Sequence, residues 1–557
     1  MDNRFLWLSS LVLVGVLGWM YFSQPGLQAE EQTASPPQNA SIAAASPDPD
    51  GSADEIPITT SSIVVRTPQY EAVFEEQGGR LSSFKLNDYS KRKLNSNLPD
   101  EKMELILQRN PEDRPLRLGF TDASAPQLEN APFMADKKEL ILGPGQSEQL
   151  TMTYRDPSGL TVSRIFTFDA DTYKVGQELI LDNSAGSIPL DGLITMRINS
   201  APFRSKASSH YDEMGAYINN KLVTDSADDA AAALGKYRDK LTSVSWIGYM
   251  DQYFITAILT PDNNDLPGVT PPVLSAAYQD HGGLAVGVSN PLSLAPGKKS
   301  VFSYDFYYGP KRSDDLKAAG HNLVKSIDLG WFSFLALPLA ALLKWIYSWC
   351  GNYGVAIILV TILIKIVLWP LTAKSYRSMK EMQKLQPKVM KLREKYADDK
   401  EAMNREIMQL YKTFKINPLG GCLPMLLQIP FFIAFYRMLD SLLELRGAPF
   451  VLWIKDLAAP DRLGSLDFTI PFFEPPTGLP VLTLLMGASM ILQQKMTPNT
   501  MGDPVQAKMM MMMPLVFTVI LINMPAGLVL YWLVNNVLSI AQQKIINRPE
   551  KPASAKK

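Results

Sequence analysis

Apolar residues are distributed unevenly along this chain, and that split constrains its fold more than any motif. Residues 1–330 are mostly soluble in character apart from one run at the start, whereas residues 331–546 consist largely of long apolar stretches. A mean hydropathy near zero averages two unlike halves and describes neither. A net charge of −1 over 557 residues likewise says nothing about partners; only the placement of the charges does.

Five stretches of the second half read as membrane spans: 351–371, 420–439, 479–496, 509–524 and 526–546. The segment 374–415 holds twelve Lys/Arg against six Asp/Glu, which marks a cytoplasmic loop. The other large loop, 441–478, has three against five, as expected on the opposite side. Residues 62–310 alternate like strands, for example Ser62–Arg66, Gln149–Arg155, Leu160–Asp169 and Val175–Asp182. Turn signals such as Gly78-Gly79 and Asp156-Pro157-Ser158-Gly159 separate them, which predicts a large antiparallel sandwich. With a helical stretch over 311–326, that domain is placed at 62–326.

The remaining segments complete the plan. Phe5–Phe22 is an apolar run of 18 residues behind Arg4, longer than a usual signal-peptide core, so residues 1–23 read as a retained anchor. Residues 24–61 are rich in Ala, Ser, Asp and Pro and read as a disordered linker. Trp331–Trp349, interrupted by Pro338 and Lys344 and rich in Trp and Tyr, reads as an interfacial helix at 331–349. Residues 547–557 form a basic cytoplasmic tail. The expected fold class is a multi-domain membrane protein with an all-β sandwich on the trans side. An N-terminal anchor helix tethers it, and an α-helical membrane core of five spans follows. Cys350 and Cys422 would face opposite sides of the bilayer and cannot pair.

Lys365 lies within the otherwise apolar stretch Val355–Trp369, and no later span carries an internal carboxylate to neutralise it. Insertion scales put a mid-span lysine at about 2.5–3.5 kcal/mol. Either a neighbouring helix leaves a wet cavity beside it, or its stem snorkels to the interface. Thr361 shares its face one turn earlier. Gln428, Asn523, Asn535, Asn536 and Ser539 add polar groups in other spans, where interhelical hydrogen bonds are their ordinary use and a hydrated recess the sharper reading. Met509–Met513, with Met486, Met490 and Met496, is either plain packing or a pliable wall for varied partner helices.

In the basic loop, Met382, Leu385, Val389, Leu392 and Tyr396 make one heptad seam, and Met403, Ile407, Leu410 and Phe414 a second. The pair reads as a helical hairpin, with Pro387 arguing for a kink or a late helix start. Lys384, Lys388, Lys391 and Lys395 fall on one face, suited to anionic lipid headgroups, ribosomal RNA or a protein partner, or simply solvated. His210 and His281 sit in polar loop-like sequence, and no metal-ligand spacing or nucleophile motif occurs. No metal, cofactor, enzymatic activity or DNA partner is expected.

Asn417-Pro418-Leu419-Gly420-Gly421-Cys422-Leu423-Pro424, Pro370-Leu371-Thr372 and Met524-Pro525-Ala526-Gly527-Leu528-Val529-Leu530-Tyr531-Trp532 closely resemble the YidC family of membrane protein insertases, in its Gram-negative form with a large periplasmic domain. The resemblance implies a chaperone and insertase of the cell inner membrane, acting alone or with the Sec translocon on nascent membrane proteins. It implies a hydrophilic groove whose positive charge is Lys365 and which Thr361 lines. Trp532 stands where relatives can carry Tyr. The cytoplasmic hairpin would receive substrates, with the ribosome and anionic lipids as further partners. Two rival classes remain on the residues alone. A solute transporter or channel would ordinarily show carboxylates in its spans or two similar halves. A membrane-anchored carbohydrate-binding protein would show a cleft with convergent carboxylates or histidines in residues 62–310.

Overall fold

The computed structural model describes residues 62–90, 102–107, 113–121, 126–186, 188–201, 203, 213–261, 272–279, 283–396, 399–414, 423–464, 478–496 and 504–546. The expected anchor, linker and basic tail, together with His210, His281 and Cys422, lie outside these residues. The described chain divides into two compact units, one ending at Ser326 and the other beginning at Ile327.

The first unit is β-rich. Its nine-stranded sheet runs Lys221–Ser226, Glu213–Ile218, Val244–Met250, Phe254–Leu259, Lys299–Pro310, Lys174–Asp182, Thr161–Asp169, Ser147–Arg155 and Met134–Ala135 in spatial order. A five-stranded sheet carrying Tyr70–Glu75 and Arg80–Ser90, and a four-stranded sheet carrying Leu190–Ser200 and Leu284–Leu294, pack against it. The sandwich therefore has one of its two layers split. Pairing is antiparallel except where Ser62–Arg66 runs parallel to Glu139–Ile141. Strict alternation drives the register. In Thr161–Asp169 every second residue, Val162, Arg164, Phe166 and Phe168, is buried. Phe74 of the five-stranded sheet meets Phe166 at 4.9 Å and Phe168 at 5.6 Å between ring centroids. Two short helices, α1 (Ala230–Gly235) and α2 (Ser313–Ala319), complete the unit. After α2 the chain turns through His321 and Asn322, both at positive φ.

The second unit is helical: α3 (Ser333–Cys350), α4 (Tyr353–Lys395), α5 (Lys400–Thr413), α6 (Leu423–Ser441), α7 (Val481–Met496), α8 (Pro504–Ile520) and α9 (Ala526–Ile546). Among the described residues, Gly330–Cys350 and Tyr353–Lys395 are the two helical segments long and apolar enough to cross a membrane by length and composition. On α3, Phe334, Leu337, Trp345 and Trp349 are exposed, as is Trp331 just before it, while Ala336, Leu339 and Leu343 are buried, so the helix is sided. Helix α4 begins at Asn352, whose Oδ1 accepts from the Val355 amide. It then runs unbroken through both Pro370 and Pro387, where the sequence suggested a boundary and a late start. Pro370 leaves Ile366 O without its intrahelical donor; nearby, Thr372 Oγ1 donates to Leu368 O or Trp369 O, and Gln542 Nε2 reaches Trp369 O. Helix α5 is capped by Asp399, whose carboxylate accepts from the Glu401 and Ala402 amides. Met382, Leu385 and Val389 of the expected first seam are buried. Helix α6 extends past the expected end of its span and brings Asp440, buried, into its last turn.

Helices α7 and α8 approach closely at Gly487, where a Cβ would overlap Thr518 Oγ1. Thr518 cannot rotate away freely because that hydroxyl donates to Pro514 O at 2.7 Å. Gly487→Ala is expected to destabilise the bundle by about 1–3 kcal/mol through overpacking, read as a lower thermal midpoint in detergent.

Candidate functional site

Lys365 faces the interior of the helical unit. It is 7% exposed, beside buried Val360, Thr361 and Ile364, while Leu359, Leu363, Ile366 and Val367 on the opposite face of α4 are exposed. Its Nζ donates to Ser539 Oγ on α9 at 2.8 Å. Ser539 in turn donates to Asn535 O at 2.7 Å, the usual back-bond of a helical serine. The amine therefore reaches across to a neighbouring helix rather than along its own helix toward an end. No carboxylate pairs with it among the described residues. An ammonium offers three hydrogens, and one hydroxyl engages a single one of them.

More polar groups follow along the same α4–α9 seam. The Tyr376 hydroxyl is within hydrogen-bonding reach of Ser539 and Gln543. Gln542, 1% exposed, donates through Nε2 to Thr372 Oγ1 at 2.7 Å. Asn536, also buried, donates to Ser489 Oγ on α7 at 3.0 Å. A polar strip thus continues from Lys365 toward the end of α4 that leads into α5. In hydrocarbon such side chains persist only with partners or water.

The expected residues do not all gather here. Thr361 is buried and its hydroxyl is committed to Ile357 O at 2.6 Å. Asn535 and Asn536 sit on α9 one turn before Ser539, and Asn535 contributes its carbonyl. Gln428 is half-buried on α6. Trp532 packs edge-on to Phe432 of α6 at 4.6 Å and tilted to Phe517 of α8 at 5.6 Å, so it serves three helices as an aromatic contact. Asn523 stands apart. Its Oδ1 accepts from Arg462 Nη2 at 3.0 Å, in the connection that follows α6. On the hairpin, Lys384 donates to Glu381 at 2.7 Å, while Lys388 lies 4.4 Å from the Phe414 ring and Lys395 5.1 Å from the Tyr396 ring. Three of the four basic residues thus have local partners, and Lys391 is exposed.

Thr372, Tyr376, Ser489, Gln542 and Gln543 were not among the expected site residues. Their spacing carried a signal. Asn535, Ser539 and Gln542 step by 4 and 3 along α9, and Lys365, Thr372 and Tyr376 by 7 and 4 along α4, which puts each set on one face.

A profile of the family described as "60Kd inner membrane protein" matches residues 345–554, and one described as "YidC periplasmic domain" matches residues 62–342. A protein of Pelobacter propionicus named membrane protein insertase YidC is 42% identical over 90% of this chain and 89% of its own length. The chain belongs to the YidC family. A Geotalea daltonii YidC of the same printed name is 37% identical across 98% of this chain and 99% of its own length, so the correspondence runs nearly end to end. A solved structure described as an active YidC insertase with its first transmembrane domain resolved covers 88% of this chain at 16% identity and a TM-score of 0.36.

Proposed function

We infer that this chain is a membrane protein insertase of the inner membrane, with its β-rich unit in the periplasm. It lowers the barrier to insertion without covalent chemistry. The observation that carries this reading is a buried lysine held between helices by a neutral hydroxyl, in a chain of the YidC family. A polar terminus or loop entering hydrocarbon costs several kcal/mol for each unsatisfied group. A hydrated groove beside Lys365, with Asn535, Asn536 and Ser539 of α9 along it and Gln428 on its α6 side, shortens that path. The unpaired ammonium attracts acidic residues of the incoming segment, and the membrane potential draws negative charge outward. The apolar helix then leaves into lipid, driven by its own burial.

In this reading α4, α6, α7, α8 and α9 are the five core spans, α3 lies along the interface, and residues 1–23 anchor the protein. The α4–α5 hairpin is cytoplasmic and receives substrate, with anionic lipid or the ribosome against its basic face. The Sec translocon is a partner for larger substrates. Reconstitution of the purified chain into liposomes is the test. Short membrane proteins with acidic translocated tails are expected to become protected from external protease in vesicles carrying the chain, and not in empty ones. Equal protection in both would end the reading.

A further inference from the structure

Among the described residues, Ser539 Oγ is the one hydrogen-bond acceptor of the Lys365 ammonium, at 2.8 Å. Thr361 shares the face of Lys365 one turn earlier, yet its hydroxyl donates to Ile357 O and makes no bond to the amine. A lysine head on its flexible four-carbon stem has no preferred end point of its own. Where this charge stands is therefore decided on α9.

The acceptor is set before the amine reaches it. The single hydrogen of Ser539 goes to Asn535 O at 2.7 Å, so toward Lys365 the hydroxyl can accept and cannot donate. That back-bond also fixes the serine rotamer. The helix that carries it is fastened on either side. Three residues earlier, Asn536 Nδ2 donates to Ser489 Oγ on α7 at 3.0 Å. Three residues later, Gln542 Nε2 donates to Thr372 Oγ1 on α4 at 2.7 Å. Ser489 repeats the device, since its own hydrogen goes to Met486 O at 2.6 Å and leaves it an acceptor toward Asn536. Asn536, Ser539 and Gln542 are all buried, so thermal excursions of this stretch of α9 are restrained by packing as well.

A neutral acceptor holds a charge in place without cancelling it. A carboxylate at this position would neutralise the amine, and an apolar side chain would leave it to follow water. With one hydrogen on Ser539, the ammonium keeps two for water or for a carboxylate of an incoming segment.

We propose that Ser539 is a specificity-determining residue of the insertase: it is the positioning residue that fixes where the Lys365 charge stands, and it thereby sets how strongly acidic translocated tails are favoured over neutral ones. This rests on the insertase reading above and adds the residue that tunes its substrate preference. A charge about 9 Å from a carboxylate that recedes by about 3 Å, at an effective dielectric constant near 20, loses attraction equivalent to roughly twofold in rate.

The full chain carrying Ser539→Ala, Ser539→Cys or Ser539→Thr, each with and without Lys365→Met, is reconstituted in liposomes. Two substrates of equal length, differing only in the acidity of the translocated tail, are compared by their initial rates of protease protection. Ser539→Ala and Ser539→Cys are expected to lower the acidic-to-neutral ratio about two- to threefold. Ser539→Thr, which can still accept, is expected to restore it. No substitution at Ser539 is expected to move the ratio further once Lys365 is methionine. Cysteine keeps the shape of serine but is a weak acceptor, so it separates acceptance from packing and stands in if the alanine chain does not fold. A ratio unchanged by Ser539→Cys overturns the proposal, as do two rates that fall by a common factor. An equal fall in the Lys365→Met chain overturns it too, because Ser539 then acts without the amine. A wild-type chain that inserts neither substrate beyond empty vesicles ends the insertase reading; a wild type that inserts both, at a ratio Ser539→Cys leaves alone, ends only this proposal.

Discussion

Lys365→Ala should lower insertion of substrates with acidic translocated tails by roughly tenfold, while substrates with neutral tails change little. The size follows from Coulomb's law. A single carboxylate about 8–10 Å from an ammonium, at an effective dielectric constant near 20, interacts by about 2 kcal/mol, and 1.4 kcal/mol is a factor of ten in rate. Lys365→Arg should retain most of the activity, because charge rather than geometry is used in attracting an acidic tail. Lys365→Met separates packing from charge, since it keeps an unbranched stem between α4 and α9. If the methionine variant inserts acidic tails as well as the wild type, electrostatic attraction has no part in the mechanism. The readout is protease protection in vesicles, with tail acidity varied at constant length.

The second large effect lies in the β-rich unit. Arg164 is fully buried, yet no carboxylate faces it among the described residues. Its guanidinium donates to Gly78 O at 2.7 Å, Leu116 O at 3.0 Å and Gln177 Oε1 at 3.3 Å, and lies over the Phe166 ring at 5.2 Å. Burial lowers its pKa to about 9, so it keeps its proton at neutral pH. Both carbonyl partners belong to residues at positive φ, Gly78 and Leu116, and Leu116 has a Cβ that disfavours that conformation. One side chain thus ties two strained turns to the large sheet. Arg164→Ala orphans both carbonyls and opens a cavity, and about 3–5 kcal/mol of stability should be lost. For a unit of this size that corresponds to roughly 6–15 °C in melting temperature. Arg164→Met fills the space and should recover part of the loss but not the carbonyl bonds. A melting temperature unchanged by either variant would show that water or neighbouring groups replace the guanidinium.

The strands were legible wherever alternation was clean. Leu160–Asp169 was expected and Thr161–Asp169 is found, and Val175–Asp182 became Lys174–Asp182. Arg164 shows the limit of that reading. Its inward position followed from the register, but its carbonyl partners are 86 and 48 residues away, and local pattern carries no such information. The split layer was hidden for the same reason, since which strands share a sheet is a matter of distant pairing. In the helical unit, Pro370 read as the end of a span because proline removes a donor and clashes with the preceding turn. The helix continues nonetheless, losing one intrahelical bond at Ile366 O, because its buried face stays packed on α9 on both sides of the proline. Lys365 and Ser539 were each recognisable as polar residues in apolar runs, but their contact needed the packing of α4 on α9. Asn523 looked equivalent to Asn535 by composition, and only its position beside Arg462 separates the two.

Helix α4 has a mechanical consequence. Its 43 residues make a rod of about 64 Å, roughly twice the thickness of a bilayer's hydrocarbon. Lys365 sits about 18 Å from one end and about 45 Å from the other. The rod is pinned at its short end through Asn352, so a lateral force at the far tip acts on the amine as a lever with a long outer arm. Displacements of the tip reach the amine scaled down by about three and a half, unless Pro370 or Pro387 yields first and absorbs the torque.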